Sequence, residues 1–248
     1  MTLFILTAII GVAIGFLGGL LGKGGSAIAT PLLHAVGVPA IVAVAAPLPA
    51  TIPSTMAASS VYWRERLIDW RVVRWSLAFG IPATVVGAVA TRWVGGVTLV
   101  KVTDVVLLVL GVRLVMTTGR AVGSAHEIAE PSPAGLAAVA IVVGVVAGLL
   151  ANSGGFLLAP LYITVLNLRI KPAFASSLAV AAVLAIPGTM VHAALGHIDW
   201  TLVAIFAATS VPLSFVGARL AIRTDAKRLE RGYGFALIAL GAVFLFLH

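Results

Sequence analysis

The sequence contains no cysteine. That absence excludes disulfides, thiolate nucleophiles, Fe–S clusters and Cys-type zinc sites together. Charge is nearly as scarce, at 10% of residues against about 25% in an ordinary soluble domain. Too few polar side chains remain to cover a water-facing surface, so a soluble globular domain is excluded. Carboxylates are the rarer charge, with Asp and Glu totalling 8 against 16 Lys and Arg. No paired-carboxylate arrangement, H-E-x-x-H, Walker loop or G-x-S-x-G run occurs. An integral membrane enzyme would need such a constellation, so the reading is of a non-enzyme, and no cofactor or metal is implied.

What is abundant is apolar surface: 61% of residues are hydrophobic and the mean hydropathy is +1.16. The solvent for most of the chain is therefore lipid, with about 20 apolar residues per span. A net charge of +8 would suggest nucleic-acid binding in a soluble protein. Here the basic residues lie in short loops between apolar stretches, which reports membrane orientation instead. The N-terminal stretch has no basic leader and no A-x-A cleavage site, so it reads as a retained first span.

Apolar segments fall at 3–22, 27–38, 40–62, 72–94 and 97–118, and again at 134–151, 155–168, 172–194, 201–221 and 232–247. The polar stretch 119–133 links the two sets, which divides the chain into a first unit, 1–118, and a second, 134–248. The two sets match at a nearly constant spacing. Gly19, Leu20, Leu21, Gly25 and Pro31 correspond to Gly148, Leu149, Leu150, Gly154 and Pro160, and Ile68-Asp69-Trp70 corresponds to Ile198-Asp199-Trp200. Such internal similarity indicates a duplicated membrane unit. The expected fold is an all-α polytopic membrane protein of two homologous repeats, with about eight full spans and two short broken helices.

If the short segments cross the membrane, each repeat has five spans and the second is inverted. All 16 basic residues except Arg92 and Lys101 then fall on one side. If the short segments merely dip, the split is far weaker. The positive-inside rule therefore favours inverted repeats, basic loops in the cytoplasm and both termini outside. All five tryptophans lie near predicted span ends, where an indole prefers the headgroup layer.

The chemistry concentrates in two glycine-rich runs, GLLGKGGSAIATP and GLLANSGGFLLAP. Non-helical backbone at membrane depth is tolerated only inside protein or along an aqueous cavity. In the first run Gly22, Gly24 and Gly25 free the backbone, Ser26 caps the following short helix, and Lys23 adds a positive charge. In the second, Asn152 and Ser153 offer neutral donors, while Gly154 and Gly155 allow close backbone approach. Helix N-termini with exposed amides suit a small oxyanion or carboxylate. The competing expectation is that these glycines only allow close helix packing and that Lys23 extends to the interface. Ser176 and Ser177 begin a long span where their hydroxyls could face a break, although they could equally bond their own helix. Pro47, Pro49 and Pro53 make the equivalent span of the first repeat irregular. Asp104, three residues from Lys101, is either half of a local ion pair or a proton-coupling group. His192, near a span end, is expected at the interface.

With these runs on the page, the sequence resembles the sulfite exporter TauE/SafE family of bacterial membrane proteins. The likeness rests on the paired glycine-rich runs, 15–33 and 144–162, and on both Ile-Asp-Trp turns, and it covers nearly the whole chain. Two departures, Ala46-Pro47 in place of a Thr-Ser pair and Ala151-Asn152-Ser153 in the second run, fall where substrate choice would be set. The resemblance implies export of a small sulfur-containing or carboxylate anion across the cytoplasmic membrane. Its partners would be the anion, the lipid bilayer and a coupling proton or ion, with no nucleic acid. The alternative is a membrane-embedded accessory subunit without transport of its own.

Overall fold

A computed structural model describes residues 2–22, 26–94 and 131–225, together with scattered positions within 97–112 and 228–239. The described residues form helices joined by short turns, with no strand among them. In chain order these are α1 (Thr2–Leu21), α2 (Ser26–Ala35), α3 (Ala40–Ala45), α4 (Pro47–Arg64), α5 (Trp70–Ala90) with a 3-10 turn at Thr91–Trp93, α6 (Pro133–Leu149), α7 (Gly155–Thr164), α8 (Ile170–Ala194) and α9 (Trp200–Arg223). Five stretches are long and apolar enough to cross a bilayer: α1, α3 with α4, α5 with its turn, α8 and α9. Helix α6 is shorter, at 17 residues, because the second glycine-rich run ends it at Leu149. Segments 97–118 and 232–247 lie largely outside the described residues.

Local sequence explains the helix boundaries. Asp69 Oδ1 accepts from the amides of Arg71 and Val72 at the start of α5. Asp199 Oδ1 does the same for Thr201 and Leu202 at the start of α9. The duplicated Ile-Asp-Trp is therefore a duplicated N-cap, which satisfies amides that the first helical turn leaves unpaired. The expected irregularity of the 40–62 span appears as the interruption at Ala46, where Pro47 opens α4. Trp63, Trp70, Trp93 and Trp200 are all exposed, at helix ends as the sequence predicts.

The helices pack through small residues. A Cβ on Gly15 would fall on the Ser210 carbonyl, one on Gly19 on the Ser214 carbonyl, and one on Gly217 on the Phe16 carbonyl. Positions rise together along both chains, so α1 and α9 run parallel with their backbones in contact. The same arrangement joins α6 to α5, where Gly144 meets Gly80, Gly148 meets the Thr84 carbonyl and Gly87 meets the Val145 carbonyl. Between lipid-facing helices, such close approach replaces the hydrophobic drive available in water. A methyl group at one of these contacts would push two backbones apart, at a cost of about 1–3 kcal/mol.

Contact registers also fix the direction of the central helices. Gly80 meets Leu184 and Thr84 meets Gly188, so α5 and α8 are parallel. Ser54 meets Ser210 and the Val61–Glu65 end of α4 meets the Phe215–Arg223 end of α9, so these two are parallel as well. Helix α4 runs opposite to α8, with Leu48 against Gly188 while the far ends, Tyr62 and Ser177, converge on the C-terminal end of α1. The described long helices thus form two groups of opposite direction: α1, α4 and α9 in one, and α5, α6 and α8 in the other.

Candidate functional site

Helix α1 stops inside the bundle. Gly217 packs between Phe16 and Leu20, and while α1 ends at Leu21, α9 continues to Arg223, roughly one helical turn past that end. Gly22 ends the helix with φ +65°, a left-handed conformation that side chains resist. A Cβ there would also collide with Phe174 of α8. The carbonyl that Gly22 leaves free of helical bonding is taken by the Ser177 hydroxyl. One turn earlier, the Tyr62 hydroxyl donates to the Gly19 carbonyl over 3.4 Å.

The second break has corresponding parts. After α6 the chain turns at Ala151 (φ 45°) and Gly154 (φ 75°). Between them Asn152 folds back, its Oδ1 accepting from the Gly154 amide at 3.0 Å. His192 Nε2 lies 3.4 Å from the Gly148 carbonyl, so a histidine stands where Tyr62 stands in the first half. His192 is fully buried among the helices. Its Nδ1 lies 3.1 Å from His197 Nδ1 in the following loop, and burial holds the His197 imidazole below its ordinary pKa.

The two breaks touch. The Ser153 amide reaches Ser26 Oγ at 3.4 Å, which brings the N-terminal ends of α2 and α7 together in the interior. Ser26, Asn152 and Ser153 are all buried, as are Gly22, Gly154 and Gly155. Among the described residues the buried Ser153 hydroxyl has no hydrogen-bond partner. Leaving such a group unsatisfied costs about 1–3 kcal/mol.

Of the sequence-predicted site residues, Ser26 meets Ser153 at this junction with Asn152, Gly154 and Gly155 beside it in the second break, and Gly22 is paired with Ser177 at the end of α1. Ser176 is turned aside: its hydroxyl accepts from the Asp69 amide at 3.0 Å and ties α8 to the turn before α5. Lys23, Gly24, Gly25 and Asp104 lie outside the described residues. A small cavity, about 10 Å³ and so near the volume needed for one water, lies elsewhere in the bundle. Its walls are α1, α4, α8 and α9, with the hydroxyls of Thr51, Ser54, Thr55, Ser210 and Ser214 among them. Gly19 of the first glycine-rich run lines it, whereas among the described residues Gly22, Ser26 and Asn152–Gly155 do not. These five hydroxyl residues were not singled out by the sequence motifs; their only signal is small polar residues recurring on one face of an apolar helix.

The profile of the family described as "Sulfite exporter TauE/SafE" matches residues 7–244, nearly the whole chain. The chain belongs to that family. A "Probable membrane transporter protein" of Xylella fastidiosa (strain 9a5c) is 29% identical over 240 residues, spanning 91% of this chain and 88% of the relative. "Probable membrane transporter protein YjnA" of Bacillus subtilis (strain 168) is 24% identical over 238 residues, spanning 90% and 92%. No solved structure matches the chain. Family membership and the apolar helices make this TauE/SafE chain a multi-pass membrane protein.

The two serines at the junction differ in what they support. Ser177→Ala strips the partner from a buried carbonyl and is expected to destabilise by about 1–3 kcal/mol. Ser153→Ala removes an already unpaired hydroxyl and is expected to leave stability unchanged or slightly raised. Thermal melting of the purified variants checks both; a Ser153→Ala protein that melts well below wild type would contradict the geometry.

Proposed function

We propose that the protein is a secondary transporter that exports small anions across the bacterial cytoplasmic membrane, and that the substrate binds where the two helix breaks meet. The candidate substrates are sulfite, other sulfur oxyanions, organosulfonates and carboxylates. One observation carries the reading: the N-terminal ends of α2 and α7 approach each other in a buried place through Ser26 and Ser153, with the Ser153 hydroxyl unpaired among the described residues. Each helix end carries about half a positive charge. Two such ends facing one another repel unless an anion sits with them, and the free hydroxyl supplies a donor for it. Lys23 stands next to Gly22 in sequence and adds a full charge to the same field. Membership of the TauE/SafE family and the transporter names of its relatives agree with this chemistry.

Alternating access in this reading comes from inverted repeats. Its support is that α1, α4 and α5 correspond in sequence to α6, α8 and α9, and each corresponding pair falls in opposite direction groups. The Gly19–Ser214 contact corresponds to Gly148–Thr84, and Tyr62–Gly19 to His192–Gly148. With α1 and α4 pointing the same way, α2 carries the chain back between them and counts as a crossing element. Five crossings per repeat then place both termini outside, with Arg64, Arg66, Arg71, Arg169, Arg219 and Arg223 all at the cytoplasmic end.

Flux of radiolabelled sulfite, thiosulfate, sulfonates and carboxylates into proteoliposomes tests the function. Wild type is expected to transport at least one of them saturably, and Ser153→Ala to lower kcat/KM about tenfold, the worth of one hydrogen bond to a charged group. If no anion moves and changes at the breaks alter only folding or assembly, the accessory-subunit reading stands instead. Reporters fused to either terminus test the topology: both are expected to signal an extracytoplasmic location, and a cytoplasmic signal from either overturns it.

A further inference from the structure

The α4–α9 seam carries more polar chemistry than its counterpart. Besides the hydroxyl-lined cavity, it opens at one end into a cleft of about 350 Å³ whose walls include Arg64, Arg219 and Arg223, with Glu65 the one carboxylate among the described lining residues. Among the described residues none of these three guanidiniums is paired with a carboxylate. Arg219 lies over the Phe215 ring at 4.3 Å, which orients its plane along the wall. Beside the cleft, Lys171 Nζ donates to the Ile222 carbonyl at 2.7 Å and brings a further positive charge. One carboxylate cannot balance these charges, and guanidiniums held around one concavity repel unless an anion joins them.

The corresponding positions of the other half hold no such group. Arg64, Arg219 and Arg223 correspond to Ala194, Val89 and Trp93, while Ser54 and Ser210 correspond to Leu184 and Gly80. Orientation by the positive-inside rule asks only for basic residues on one side of the membrane. It does not ask that three of them flank one cleft, directly above the cavity lined by Ser54, Ser210 and Ser214.

We infer that this cleft is an oxyanion-binding vestibule, in which Arg64, Arg219 and Arg223 hold a sulfate-, sulfonate- or phosphate-type group by paired guanidinium hydrogen bonds. The group belongs either to a free anion or to an anionic lipid headgroup of the adjacent leaflet. As a loading station above the hydroxyl-lined seam its role rests on the transport reading; as a binding site it does not.

Equilibrium binding of radiolabelled sulfate to the full chain, in nanodiscs of neutral phosphatidylcholine, tests the free-anion source. Saturable binding is expected, weakening as ionic strength rises and about tenfold or more in the double variant R219Q/R223Q. R219K/R223K keeps charge without the planar fork and is expected to fall between the two. A second arm uses nanodiscs containing phosphatidylglycerol and measures the lipid retained through purification. Loss of retained phosphatidylglycerol in R219Q/R223Q, with competition against sulfate in wild type, assigns the cleft to a lipid headgroup. Unchanged sulfate binding and unchanged lipid retention in R219Q/R223Q, with wild-type melting, would overturn the vestibule. Should the Gln variant fail to fold, the Lys variant and the salt dependence of wild type decide in the same way. Sulfate binding without flux of any anion would remove the transport reading alone, whereas flux with no Arg-dependent binding would remove the vestibule alone.

Discussion

Unpaired backbone groups inside a lipid-embedded bundle constrain this protein more than any other feature. A helix that ends at depth leaves carbonyls and amides that neither water nor lipid can satisfy, at several kcal/mol each. The chain breaks after α1 and after α6 and answers each break with side chains from another helix. Ser177 takes the Gly22 carbonyl, Tyr62 the Gly19 carbonyl and His192 the Gly148 carbonyl. Ser26 receives the Ser153 amide and thereby joins one break to the other. Removing Ser177 strips the buried Gly22 carbonyl of its side-chain partner, whereas the Gly148 carbonyl keeps a bond from the Ala151 amide, so the first break depends on α8 more than the second depends on His192.

That dependence explains the second feature of the sequence, its small residues. For Tyr62 and His192 to reach carbonyls on neighbouring helices, α1 must sit closely against α9 and α6 closely against α5. Gly15, Gly19, Gly144 and Gly148 provide the approach, each facing backbone where a methyl would collide. Close packing of α1 on α9 and of α6 on α5 is also what interlocks the halves, because each breaks-bearing helix packs on the last long helix described in the other half. The glycines before the breaks are therefore packing residues, while Gly22 and Gly154 are conformational ones. The close packing expected of the glycine-rich runs is met at Gly19 and Gly148.

Much of this was legible in the sequence because the relevant physics is local. Hydropathy marked the long helices to within a few residues, Ile-Asp-Trp marked two N-caps, and the glycine-rich runs marked where helices end. Ser177 was legible from its place opposite the break. What the sequence did not disclose depends on which helices become neighbours. Ser176, adjacent to Ser177, bonds the Asp69 amide because the next position on a helix faces about 100° away. His192, a lone histidine near a span end, gave no sign in the sequence that it lies against the Gly148 carbonyl. The hydroxyls along the α4–α9 seam look like ordinary small residues until Ser54 is set against Ser210 at 2.8 Å.

The central claim is that both breaks meet at a single point, and the cysteine-free chain allows a direct measurement. Ser26 and Ser153, in hydrogen-bond contact, can be replaced together by cysteine and exposed to mild oxidant in native membranes. The account predicts a Ser26→Cys/Ser153→Cys protein that forms an intramolecular disulfide, seen by mass spectrometry of proteolytic fragments, since only residues with Cα atoms about 4–7 Å apart can be bridged. Each single variant should form none. Both cysteines remaining free under oxidant, in a protein of normal abundance and melting temperature, would contradict it.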